Sequence, residues 1–247
     1  MKTLILALAA SLSVPTVEAA DIKVMASNGV RGALEELAPA FARATGHKLD
    51  ITFGLAAGLK RDIEAGEAFD LAILTSANID DLARQGKVDG ASRTPIARSG
   101  VGIMVRAGAP KPDLSTPEAL KSALLAARSI TWARDGASGV YFASVMQKLG
   151  IADEIKQKYK LALDGAAAAH KVASGEAELG ALLINEILAQ KGVKVAGQLP
   201  PELQSYTAFH SGVSTASKDP AAAKALAEFL TTPAAAAVFK AKGQEPG

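Results

Sequence analysis

The chain contains no cysteine. Disulfides, thiolate nucleophiles and cysteine-held metals are excluded, and so is a lipid anchor on an N-terminal cysteine. Basic residues number 27 against 25 acidic, and without Lys2 and Glu18 the balance is 26 against 24, still +2. No dense basic run occurs, which argues against a nucleic-acid partner, since that needs a clustered electrostatic footprint. Histidine is scarce: His47, His170 and His210 are far apart with no acid motif beside them, so a catalytic triad has no support. Neither HExxH nor a histidine pair at i, i+4 occurs, so no metal site is expected. There is also no internal repeat and no long Ser/Gly/Pro tether.

What is present begins with Met1-Lys2 followed by the apolar run Leu4 to Leu12 and the small residues around Val17-Glu18-Ala19. A positive start, a short apolar segment and a small-residue cleavage site make a secretory signal. The run is too short for a bilayer, which takes about 20 residues. Residues 1–20 are expected to be a signal peptide cut near Ala19 or Ala20, leaving a periplasmic protein.

Beyond it, β-like runs at 22–26, 49–53, 69–74, 100–106, 129–132 and 179–184 alternate with helical patterns. Such alternation predicts an α/β fold with largely parallel sheets. Val30, Leu34, Leu37 and Phe41 form a helical stripe ending at Gly46, with Pro39 inside it as a point of bending. Thr116-Pro117, Asp219-Pro220 and Thr232-Pro233 each set a capping oxygen before proline at the first helical position. Two lobes joined by strands are expected, crossing near 97–106 and 206–210. Lobe 1 then comprises 21–98 and 208–247, and lobe 2 comprises 99–207.

Taken in order, Val24-Met25-Ala26-Ser27, Ala44-Thr45-Gly46-His47-Lys48, Phe53-Gly54, Ile63-Glu64-Ala65-Gly66, Phe69-Asp70-Leu71-Ala72-Ile73, Ala137-Ser138-Gly139-Val140-Tyr141, Gln147-Lys148-Leu149-Gly150 and Gly175-Glu176-Ala177-Glu178-Leu179-Gly180 make the chain resemble the periplasmic molybdate-binding proteins of ABC importers. The resemblance covers nearly all of the chain after the signal. It implies a two-lobed periplasmic binding protein fold with a hinge and an interlobe cleft, no catalysis, no cofactor, and a membrane permease as partner. A monomer is expected. In that family a tetrahedral oxyanion is held by hydroxyls and by backbone N–H groups at helix starts, where unpaired donors and the helix dipole converge.

Ser27 matches the family's first serine, and Ser138 falls in the matching loop of the second lobe. Ala56 or Ala57 stands where the family has a serine, and Leu183 where it has a tyrosine. Two hydroxyl donors are thus missing. The expected ligand-binding residues are Ser27, Asn28, Ala56, Ala57, Arg134 and Ser138. Arg134 and Arg31 are the candidates to meet a carboxylate, which guanidinium matches bidentately; each reads more readily as a solvated surface arginine. Ser27 and Asn28 can be plain helix caps; Trp132 and Tyr141 can line a cleft, but the strand position of Trp132 favours core.

The expected ligand is a small oxyanion of the molybdate or tungstate type, with an organic carboxylate as the alternative. A hydrolase is disfavoured: Gly136-Ala137-Ser138-Gly139-Val140 has valine where a nucleophile elbow needs its second glycine. The chain is expected not to be an enzyme.

Overall fold

A computed structural model describes residues 19–247; the expected signal lies outside the described residues except for its last two. Three parallel strands come first: β1 (Asp21–Ser27), β2 (Lys48–Gly54) and β3 (Leu71–Thr75), with β1 in the middle. A second parallel trio follows later, β5 (Ile130–Ala133), β6 (Tyr159–Ala162) and β7 (Leu179–Leu183), with β5 in the middle. Between the trios run two antiparallel strands, β4 (Thr94–Arg106) and β9 (Tyr206–Val213). The spatial order is β2-β1-β3-β9-β4-β7-β5-β6, and β8 (Val193–Gln198) and β10 (Glu245–Pro246) both pair with β4.

Strand β4 belongs to both halves. Its residues Thr94 to Gly100 pair with β9, and Val101 to Met104 pair with β7. Both trios place their first strand centrally, so the chain leaves the middle strand in one direction and returns on the other side. The carboxyl ends at such a reversal leave a crevice in which ligands of α/β proteins bind.

The helices follow local sequence logic. Helix α1 (Arg31–Thr45) buries Leu34, Leu37 and Phe41, contains Pro39, and stops at Gly46, whose φ of 79° is the left-handed cap that glycine adopts without strain. Thr116, Asp219 and Thr232 cap α4 (Pro117–Ala126), α9 (Pro220–Phe229) and α10 (Pro233–Ala241) by accepting from the backbone N–H three residues on. Trp132 is core: it stacks on Tyr159 at 4.1 Å and meets Phe142 edge-on at 5.5 Å. The Tyr141 hydroxyl donates to the Leu203 carbonyl at 2.9 Å.

Strands β6 and β8 are not among the expected runs. The first is short, lies at a sheet edge and buries only Ala162 fully; the second, VKVAGQ, is nowhere fully buried. Neither therefore shows the apolar density by which a buried strand is read.

Candidate functional site

The carboxyl ends of both trios converge on one small cavity of ≈ 30 Å³. From the first half come Ser27 and Asn28 after β1, and Leu55 and Ala56 after β2. The second half supplies Ala133 ending β5, then Gly136 to Ser138, and Gly165 before the body of α7 (Gly165–Ser174). Leu183 ends β7, and Glu186 stands in α8 (Ile184–Leu188); Phe209 from β9 completes the wall.

Two of the longer helices here start with no side-chain cap: α2 (Ala56–Glu64) after Leu55, and α5 (Ala137–Lys148) after Gly136. The first N–H groups of a helix have no intrahelical partner, so both starts present donors. Helix α5 can come this close to β5 because its third residue is glycine; a Cβ on Gly139 would lie 1.9 Å from the Ala133 carbonyl oxygen. Gly29 is similarly required, since a Cβ there would meet the Phe209 ring at 2.2 Å.

Of the expected site residues, the structure brings Ser27, Asn28, Ala56 and Ser138 to this cavity. Ser27 is buried and its Oγ accepts from the Gly29 N–H at 3.3 Å, so it caps and faces the cavity at once. Ser138 is buried on the second turn-forming position of α5. Ala57 is exposed and outside the lining. Arg134 is also outside it: its guanidinium makes a fork to Asp135, Nε to Oδ1 at 3.0 Å and Nη2 to Oδ2 at 2.9 Å, on the surface. Arg31 lies on the rim, 4.2 Å over the Phe53 ring, donating to Asn28 Oδ1 at 3.0 Å and paired with Glu35 at 3.5 Å.

Sequence reasoning missed Glu186, which is the single titratable side chain lining the cavity among the described residues. Burial pushes its carboxyl up to about 7; the Leu183 backbone N–H opposes the shift and the charge of Asp164 adds to it. The available signal was an acid inside the apolar run Leu182-Leu183-Ile184-Asn185-Glu186-Ile187-Leu188. Its neighbour Asn185 is buried and donates to the Gly29 carbonyl at 2.7 Å, joining the α8 segment to the loop after β1.

Asn28, Gly165 and Glu186 also form part of a second, larger groove of ≈ 700 Å³, to which Arg31, Glu35, Asp164 and Lys242 contribute. The small cavity therefore shares a wall with a space several times the size of a tetrahedral ion.

A family model described as bacterial extracellular solute-binding protein matches residues 22–245. The chain belongs to this family. It is similar to a molybdate-binding protein of Azotobacter vinelandii, 28% identical with 98% of this chain and 97% of the relative covered. Among solved structures, a periplasmic molybdate-binding protein of the same organism superposes with a TM-score of 0.76, 23% identity, and 90% and 98% of the two chains covered. The fold is thus the two-lobed one of periplasmic binding proteins. A third relative corrects an expectation. An aconitate isomerase of Pseudomonas sp. is 31% identical over 91% of this chain and 87% of its own. An enzyme is built on this scaffold at that similarity, so the expectation of a chain without catalysis falls. The resemblance stated above is to members that only bind.

Proposed function

We propose that the protein takes a small unsaturated polycarboxylate of the aconitate class into its interlobe cleft and interconverts its isomers. The observation that carries this reading is the make-up of the cavity wall. Ala56 and Leu183 stand where hydroxyl donors would grip a compact oxyanion, and the space continues past Asn28, Gly165 and Glu186 into a groove large enough for further carboxylate arms. One carboxylate then sits against the uncapped starts of α2 and α5, where converging N–H donors suit an anion, with the hydroxyls of Ser27 and Ser138 beside it. The others extend toward Arg31. The similarity to an aconitate isomerase supports the same class of substrate.

In this reading the lobes comprise 21–98 with 208–247, and 99–207, and they close over the ligand about β4 and β9; hinge closure is a common motion around a bound solute. The protein works in the periplasm after loss of residues 1–20. A second reading is favoured by the retained Ser27 and Ser138: the cleft captures molybdate or tungstate and delivers it to the permease of an ABC importer, as the relatives' names suggest.

Calorimetry of the purified protein with cis-aconitate, trans-aconitate, citrate, molybdate, tungstate and sulfate separates them. The first reading expects an aconitate to bind at least about tenfold tighter than molybdate, a difference of roughly 1.4 kcal/mol. Molybdate binding tighter than every carboxylate would establish the second reading in its place.

A further inference from the structure

Glu186 is the one side chain of the cavity wall able to accept and return a proton. It faces two spaces at once, the small cavity between the helix starts and the groove beside it. A Cβ built on Gly165 would lie 3.6 Å from its Oε2, so the carboxyl rests against the glycine that opens α7. The other walls hold only donors, hydroxyls and apolar groups. This is the arrangement in which an anion is fixed on one side while a carboxyl reaches a carbon on the other.

Resting on the polycarboxylate reading above, we propose that Glu186 is the proton-transfer residue of this cleft, moving one proton between two carbons of the bound substrate. In cis-aconitate a methylene adjoins the carbon–carbon double bond. The Glu186 carboxylate removes one methylene proton, and the electron pair of that C–H bond becomes delocalised over the three-carbon unit and its carboxylates. The carboxylic acid so formed then gives the same proton to the far alkene carbon. The double bond moves by one position, the former alkene carbon becomes a methylene, and the new alkene forms in either geometry. Atoms and electrons balance with no co-reactant, and Glu186 ends as it began. The developing negative charge is met by the N–H groups at the starts of α2 and α5, which need no reorganisation to receive it.

The charge state of the site suits the task. Asp164 at the start of α7 and Glu35 on α1 are the other acids around the groove, with Arg31 and Lys242 as its cations; no ionisable side chain from the starts of α2 or α5 lines the cavity. Burial and Asp164 bring the Glu186 carboxyl to about 7, so both protonation states are accessible near neutral pH. A general base is most effective in that range.

The test follows loss of methylene hydrogen and interconversion of cis- and trans-aconitate in D2O by proton NMR, with calorimetry on the same samples. The full chain is compared with Glu186→Gln and Glu186→Asp. Expected is isomerisation by the unaltered protein, rising with pH through about 7, the range to which burial and Asp164 bring the carboxyl. Glu186→Gln should lose at least about 100-fold in rate, the usual worth of a general base, while binding aconitate as tightly or more tightly because a charge is gone. Glu186→Asp should keep a reduced rate with the same dependence on pH. A Glu186→Gln variant within tenfold of the parent rate would overturn the proposal, as would a parent that binds aconitate and does not isomerise it, with the binding half of the earlier reading left standing. A parent that binds no aconitate would overturn both.

Discussion

The starts of α2 and α8 face the same cavity and use opposite chemistry. At α2, Leu55 and Ala56 bring no polar side chain, so the helix offers its own N–H groups outward. At α8, the third helical residue is Glu186, whose carboxyl feels the backbone N–H of Leu183 one turn back. That is half of a capping box, with the reciprocal hydroxyl replaced by leucine. One helix start is left bare and suits an anion; the other is occupied by a carboxyl held half-neutral. The comparison teaches that removing side chains can specify a site as firmly as adding them. On the proposed reading, serine at the first position would grip a four-oxygen ion, whereas alanine leaves room for a flat carboxylate.

The strongest way to break the comparison is to put an acid where the bare start is. Ala56→Asp should weaken binding of cis-aconitate by at least about 100-fold, because a carboxylate would occupy the donors and leave two like charges in a desolvated space; calorimetry reads it. Binding unchanged in this variant would mean that the α2 start does not meet the ligand.

Ala56→Ser sharpens it in the other direction. A hydrogen bond to a charged group is worth about 1.5–3 kcal/mol, so molybdate should bind roughly 10- to 150-fold tighter to the variant. Ala57→Ser should change molybdate binding by less than about threefold, since an exposed residue outside the lining stays within about 0.5 kcal/mol. Equal gains at both positions would show that the register of this loop around the ligand is different.

The α8 side is probed by stability against pH. Glu186 is raised from 4.5 to about 7 in the folded chain. Its contribution is therefore fully present below 4.5 and is lost as pH rises through about 7, where burying the charge begins to cost. Glu186→Gln should melt with the parent at pH 4 and on the order of 3 °C above it at pH 8. Melting curves that coincide at both values would place the carboxyl in water. The smallest effect is expected at Arg134→Ala. With its guanidinium engaged by Asp135 on the surface, removal should shift ligand affinity by less than about twofold.

Much of the scaffold was legible. The stripe from Leu34 to Phe41, the glycine stop at Gly46 and the three oxygen-then-proline helix starts are local signals, and local signals survive folding. Ser27, at the end of β1, and Ser138, in the first turn of α5, could be named because they match serine positions of the family the chain resembles. Glu186 could not. Its role depends on β7 lying beside β4 and β5, which brings α8 to the same crevice as the loops after β1 and β2. In the sequence it is one acid in an apolar helix, and only the topology tells that it is walled in. Arg134 is a different case: being adjacent to the loop before α5 did not decide which way its side chain runs, and the guanidinium lies on the Asp135 carboxylate one residue on.

The two-sided pairing of β4 has a consequence for the order in which the chain can assemble. Leu71 in β3 finds its partner in Val213 of β9, and Thr94 in β4 finds Ser211 there. Everything from β5 to β8 is synthesised between them. The first parallel trio thus emerges with an unpaired edge that nothing can cover until the last third of the protein exists, and contacts of such long sequence separation form slowly. The second half has no such wait, because β5 pairs with β6 and β7, and β7 and β8 pair with Val101 to Arg106 of β4. The first half therefore completes its sheet only after the second has been made.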